Sequence, residues 1–132
     1  MNALLDSHSF LWAVTAPEKL SANVRGAIAD PANEIHVSTI TFWEIGLKFS
    51  LGKLEIKGCS PEDLVAGARQ MGLGIAPPTA EESAGFYRLP KVAHKDPFDR
   101  MLIWQCLERR WTLITRDRGL DEYVALGLKT VW

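Results

Sequence analysis

Between His94 and Asp117 the chain reads HKDPFDRMLIWQCLERRWTLITRD, a helix-forming run that leads almost directly into a strand-forming one. Asp96 precedes Pro97, and proline suits the first position of a helix because its missing N–H would have no partner there. Asp99 then falls in the first turn. Met101, Leu102, Ile103, Trp104, Cys106 and Leu107 are apolar around most of the circumference, so the helix is buried on several sides rather than along one stripe. Trp111 to Thr115 follows as a short buried strand ending at Arg116 and Asp117. A core helix with acids in its first turn thus leads to a core strand with an acid at its carboxyl end.

The rest of the chain repeats this alternation. Asn2 to Leu5 is a short apolar strand ending at Asp6, followed at once by a helix through Phe10, Leu11 and Val14. Ser21 caps a helix that Asp30-Pro31 stops. Glu34 to Val37 is a second strand, and Ser38, Thr39 and Thr41 offer caps for a helix holding Ile40, Trp43 and Leu47 on one face, with Glu44 and Lys48 on an adjacent one. Ser60-Pro61-Glu62-Asp63 starts a helix that ends at Gly72, and Leu73 to Ala76 is a third strand. Thr79-Ala80-Glu81-Glu82 is a capping box opening a short helix to about Arg88. A loop then delivers Asp96. Gly119 to Leu126 reads as a short helix and Leu128 to Trp132 as a closing strand.

Strands separated by helix-length connections imply a single α/β domain over 1–132, a central parallel sheet flanked by helices. Five tryptophans are expected to supply much of its core. In such a sheet, sites form beyond the carboxyl ends of the strands. Asp6 and Asp117 stand at such ends, and the helix bearing Glu44 begins just after another. No apolar run reaches the roughly 20 residues of a membrane span, and no basic leader precedes an apolar stretch, so the reading is a soluble, cytoplasmic protein. Cys59 and Cys106 belong to no CxxC pair and read as reduced thiols. A net charge of −1 gives no overall attraction to nucleic acid, which leaves a local basic patch or a bound cation to supply it.

Taken singly, each acid has a plain structural account. Asp96 and Asp99 suit an N-cap and a first-turn charge, Glu44 and Lys48 an exposed i, i+4 ion pair, and Asp117 a turn. Asp6 alone lacks a local partner in the sequence. Taken together, carboxylates gathered at one sheet edge repel one another unless a cation offsets them, and hard oxygen ligands favour Mg²⁺ or Mn²⁺. That layout suits metal-assisted phosphodiester hydrolysis. His8, His36 and His94 lack metal-ligand spacing and read as structural, and neither a GxSxG elbow nor a phosphate-binding glycine loop is present. Lys48, Lys53, Arg100 and Arg116 are candidate phosphate-facing cations, although a solvated surface role accounts for any one of them. An aspartate-nucleophile phosphatase would want an acid two residues after the first, where this chain has His8.

LLDSH at Leu4 to His8, VSTITFWEIGLK at Val37 to Lys48, GKL at Gly52 to Leu54, HKDPFDRMLI at His94 to Ile103 and TLITRD at Thr112 to Asp117 together resemble a PIN-domain ribonuclease of the VapC-like toxin type. The resemblance implies a compact α/β PIN fold, an endoribonuclease dependent on Mg²⁺ or Mn²⁺, a cognate antitoxin and pairing as a homodimer. Carried over by position, the catalytic and metal-binding acids would be Asp6, Glu44, Asp99 and Asp117. Asp96 matches an extra acid of the DPFDR variant and has two readings, metal binding through water or capping of the helix. The alternative function is a non-catalytic PIN-like module that binds RNA or a protein.

Overall fold

The computed structural model describes residues 1–93 and 96–132; His94 and Lys95, the first two residues of the HKDPFDRMLI motif, lie outside the described residues. The described chain forms five strands, β1 (Asn2–Leu5), β2 (Glu34–Ser38), β3 (Gly74–Ala76), β4 (Thr112–Ile114) and β5 (Lys129–Val131). They alternate with helices α1 (Ser7–Thr15), α2 (Ala22–Ala29), α3 (Thr39–Ser50), α4 (Pro61–Gln70), α5 (Ala80–Gly85), α6 (Pro97–Arg109) and α7 (Asp121–Val124). Short 3₁₀ turns at Pro17–Lys19 and Phe86–Arg88 follow α1 and α5.

Local chemistry sets most helix starts. The Ser21 hydroxyl accepts from Val24 N–H, Ser60 and Asp63 form a reciprocal capping box, and Thr79 and Glu82 form a second. Asp96 Oδ1 accepts from the N–H groups of Phe98 and Asp99, with Pro97 at the first helical position.

All strand pairs are parallel, in the order β3-β2-β1-β4-β5. Leu5 is in register with Val37 on one side and Ile114 on the other, so β1 lies at the centre with both edges paired. Its side chains alternate between two cores. Ala3 and Leu5 join Val37, Ile114, Phe10 and Ile45 under α1 to α4, while Leu4 joins Leu113, Leu102 and Ile103 on the opposite face. Ala3, Leu4 and Leu5 are fully buried, as expected of a parallel sheet covered on both sides. From β1 the chain progresses through β2 to β3 in one direction, then returns to place β4 and β5 on the other side of β1. The crevice where this order reverses, between the carboxyl ends of β1 and β4, is where open α/β sheets bind ligands.

The burial of α6 follows the sequence reading. Leu102, Ile103, Trp104, Gln105 and Cys106 are five successive buried residues. Burial pushes the Cys106 thiol up to about 12, so it stays neutral and unreactive. The expectation that tryptophans fill the core needs correction. Trp104 is buried, but Trp43 is 63% exposed, and Leu47 on the same face of α3 is exposed too. The inward side of α3 carries Thr41, Glu44 and Ile45 instead, because Ile45 packs into the core under α1 and α4 and Glu44 meets Ser7.

Candidate active site

Asp6 is the first residue beyond β1 and performs two backbone tasks. Its N–H donates to the Ile114 carbonyl at 3.0 Å, extending the ladder towards β4, and its Oδ1 accepts from Ser9 N–H at 2.8 Å, capping α1. It therefore has the partner that the sequence did not reveal. Asp117 lies three residues beyond β4 in a tight turn, where its Oδ1 accepts from Gly119 N–H at 2.8 Å and its own N–H donates to Thr115 Oγ1 at 3.0 Å. Asp99 enters from the first turn of α6 and donates its N–H to Asp96. Asp6, Asp99 and Asp117 line one cleft of about 290 Å³ at the switch crevice, with Leu102, Leu113 and Leu120 among its apolar lining.

Glu44 is buried beside Ser7, the neighbour of Asp6 in the chain. Ser7 Oγ donates to Glu44 Oε1 at 2.6 Å and contacts Thr41 Oγ1 at 3.2 Å, while Lys48 Nζ donates to Glu44 Oε2 at 2.5 Å. The i, i+4 pair anticipated from the sequence forms, but the Glu44 side chain is 6% exposed rather than solvated. The hydrogen bond to Glu44 holds the Lys48 ammonium above its ordinary value against the opposing effect of burial, and the charges of Glu44, Asp96 and Asp99 add to the rise. Lys48 thus lies within electrostatic reach of three of the five acids singled out from the sequence. Asp96, by contrast, does the work of a helix cap and is not among the residues that line the cleft.

The other candidate cations divide. Arg100 donates to the carbonyls of Leu89 and Pro90 and to Tyr123 Oη, and its guanidinium lies over the Phe86 ring, so it ties the loop before α6 to α7 rather than facing a phosphate. Lys53 is exposed. Arg116 is exposed next to Asp117, and with Arg118 it lines a further cleft that shares Thr115 and Asp117 with the acidic one. The histidines divide as well. His36 is structural: its ring stacks on Trp111 at 4.1 Å, and Gly74 is required opposite it because a Cβ there would overlap the imidazole. His8 is exposed and lines the acidic cleft, which its spacing from other residues did not signal; its position two residues after Asp6 was the available clue. Ser7 was likewise missed, since only the fold brings it to Glu44.

Among the described residues, no three His, Cys, Asp or Glu side chains stand close enough to enclose an ion as placed. The donor set nevertheless has the chemistry of a hard-cation site: three carboxylates line one cleft with no thiolate among them, and the one imidazole there belongs to His8, which is exposed.

A family model described as PIN domain matches residues 3–126, nearly the whole chain. The chain is a PIN domain. Among proteins similar to this PIN domain is Ribonuclease VapC22 of Mycobacterium tuberculosis (strain ATCC 25618 / H37Rv), 28% identical over 98% of this chain and 97% of its own length. Solved structures share the fold. VapBC2 from Rickettsia felis, bound to a DNA fragment from their promoter, matches with a TM-score of 0.70 at 16% identity over 99% of this chain and 98% of that one. FitAcB from Neisseria gonorrhoeae matches with a TM-score of 0.66 at 18% identity over 98% and 96%. The expected α/β PIN fold is therefore established for this chain. No helix among the described residues is long and apolar enough to cross a membrane.

Proposed function

We propose that this PIN domain is an endoribonuclease that hydrolyses RNA phosphodiester bonds with Mg²⁺ or Mn²⁺, and that it is the toxin of a toxin–antitoxin pair. The observation that carries the reading is the convergence of Asp6, Asp99 and Asp117, from three separate elements, on one cleft at the switch crevice. Similarity to a ribonuclease over the full length of both chains supports the activity, and the VapBC and FitAcB neighbours support an antitoxin partner.

In this reading Asp6, Asp99 and Asp117 hold the cation, and Glu44, which is buried and is not among the residues that line the cleft, is the fourth acid of the set. When bound, it supplies charge stabilisation at the phosphoryl oxygen and an activated water. The chain's own residues do the positioning. Capping of α1 fixes one oxygen of Asp6, the Asp117 turn fixes one oxygen of that carboxylate, and Ser7 with Lys48 orients both oxygens of Glu44. Lys48 also offsets part of the negative charge that would otherwise repel a phosphodiester. We assign Asp96 mainly to the cap of α6.

A homodimer and a cytoplasmic location belong to the same proposal. The exposed side of α3, where Trp43 meets Phe98 edge-on at 5.3 Å and Leu47 and Leu51 continue the apolar surface, suits a second copy. The deciding experiment is cleavage of a labelled RNA by the full chain in Mn²⁺, for wild type and Asp6→Asn, with and without a chelator. Loss of at least roughly 100-fold by either change is expected of a metal-ligating carboxylate. Activity that survives both would overturn the metal-dependent reading, whereas RNA binding by wild type with no cleavage in either metal would favour the non-catalytic binding module.

A further inference from the structure

The acidic cleft continues past His8. That side chain also lines a second cleft of about 620 Å³ between α1 and residues 54–57, whose groups the proposed hydrolysis does not use. Leu11, Leu54 and Ile56 give it an apolar lining that rests on the core beneath, and Lys19 and Lys57, both exposed, bring two ammonium groups to it; Glu55 lines it as well. Its aromatic member is Trp12, half-buried. The His8 ring stands 5.9 Å from the indole at a tilt of 46°, Trp132 meets it edge-on at 6.0 Å, and the Arg116 guanidinium lies 6.0 Å over it.

We propose that this second cleft is a subsite for an unpaired nucleotide of RNA next to the scissile phosphate, its base stacking at Trp12 and His8 and its backbone facing Lys19, Lys57 and Arg116. The identity of the polymer rests on the ribonuclease reading; the subsite rests on this cleft. Three features select an unpaired nucleotide. An apolar lining with an indole matches the face of a base, which a duplex keeps inside its stack. Two lysines line the cleft and the Arg116 guanidinium lies over its indole, against the single carboxylate of Glu55, a local positive excess on a chain whose net charge is −1 that complements phosphates. The shared His8 makes the cleft continuous with the acids, so one strand can occupy both. An acidic polypeptide segment would also suit the apolar lining and the lysines, and it is the occupant that loss of a co-purifying protein partner alone would reveal.

Binding and cleavage separate the two readings. Anisotropy of a labelled single-stranded RNA dodecamer with the full chain in chelator measures affinity without hydrolysis. Trp12→Leu, which keeps an apolar side chain on the core, is expected to weaken binding roughly tenfold, and Trp12→Phe to retain most of it. An RNA lacking the base beside the cleaved bond should bind wild type about as weakly, with no further loss in Trp12→Leu. Lys19→Gln with Lys57→Gln, both at exposed positions, should lower the salt dependence of log K by about 1.4, at ~0.7 per phosphate of a single strand. A duplex of the same sequence should bind less tightly and respond little to Trp12→Leu. The proposal is overturned if the folded variants bind the dodecamer with unchanged affinity and salt slope. It is equally overturned if they lose only a co-purifying protein partner. Trp12-dependent binding by a wild type that fails to cleave in Mn²⁺ would support the subsite and remove the hydrolytic reading; normal cleavage with no dependence on Trp12 or the lysines would do the reverse.

Discussion

Asparagine at position 6 separates two tasks that aspartate combines there. Its side-chain oxygen caps a helix about as well as a carboxylate, so Asp6→Asn should keep α1 capped by Ser9 N–H and melt within about 0.5 kcal/mol of wild type. The charge is gone, however, and RNA cleavage should fall at least 100-fold as a rough expectation for a ligating acid. Asp6→Ala should lose the same activity and also about 1 kcal/mol of stability, because the cap goes too. Thermal melts and cleavage rates on the same preparations check both statements. Ser7→Ala tests the support of Glu44. Removing the hydroxyl leaves Oε1 of a buried carboxylate one donor short, which costs on the order of 1–2 kcal/mol. Equal activity and stability in Ser7→Ala would show that Lys48 alone suffices to hold Glu44.

At the scale of the helix, α6 is fixed at both ends, and each end makes a prediction. Asp96→Ser can still cap Phe98 and Asp99, so it should retain stability and keep cleavage within several-fold, whereas Asp96→Ala should lose about 1 kcal/mol. Asp99→Ser, by contrast, should abolish cleavage. Near its other end, Arg109 makes paired contacts of 2.7 Å to both oxygens of Glu82 at the start of α5. The Arg109 hydrogen bonds hold the Glu82 carboxyl below its ordinary value, against burial and with help from Thr79. Because the folded-state value is depressed, the stability from this pair is present above the ordinary carboxyl range and is lost as pH falls through the lower folded value. Glu82→Gln should therefore destabilise at neutral pH by about 2–3 kcal/mol and flatten the acid limb of stability against pH, read from melts at pH 7 and below 4.5.

The caps at Ser21, Ser60, Thr79 and Asp96 were legible because a cap is written in three or four adjacent residues. The orientation of α3 was not. It carries apolar residues on two sides, Ile45 inward and Trp43 and Leu47 outward, and which side is buried is decided by tertiary contacts, the packing of Ile45 into the core and the meeting of Glu44 with Ser7. The same limit hid the engagement of Arg100 with loop carbonyls and the exposure of His8.

Across the whole molecule, alternating strands and helices were enough to read a parallel sheet with acids at one edge, but not which strand lies at its centre. Nothing local in β1 says that β4, rather than β3, will lie beside it. The outward side of α3 sets the expectation for assembly. Trp43→Glu should leave the fold intact, since the side chain is 63% exposed, and should shift a dimer to monomer in sedimentation equilibrium. A central β1 flanked by β2 and β4 also has a temporal consequence. Protein synthesis delivers β1 first, with Asp6 and then Glu44, but the strand on its other side arrives only with residues 112–114, and Asp99 and Asp117 come with that late portion. A nascent chain therefore carries half of the acids without the wall that faces them. The cleft lined by Asp6, Asp99 and Asp117 is thus assembled only when β4 pairs with β1, late in the order in which the described elements leave the ribosome.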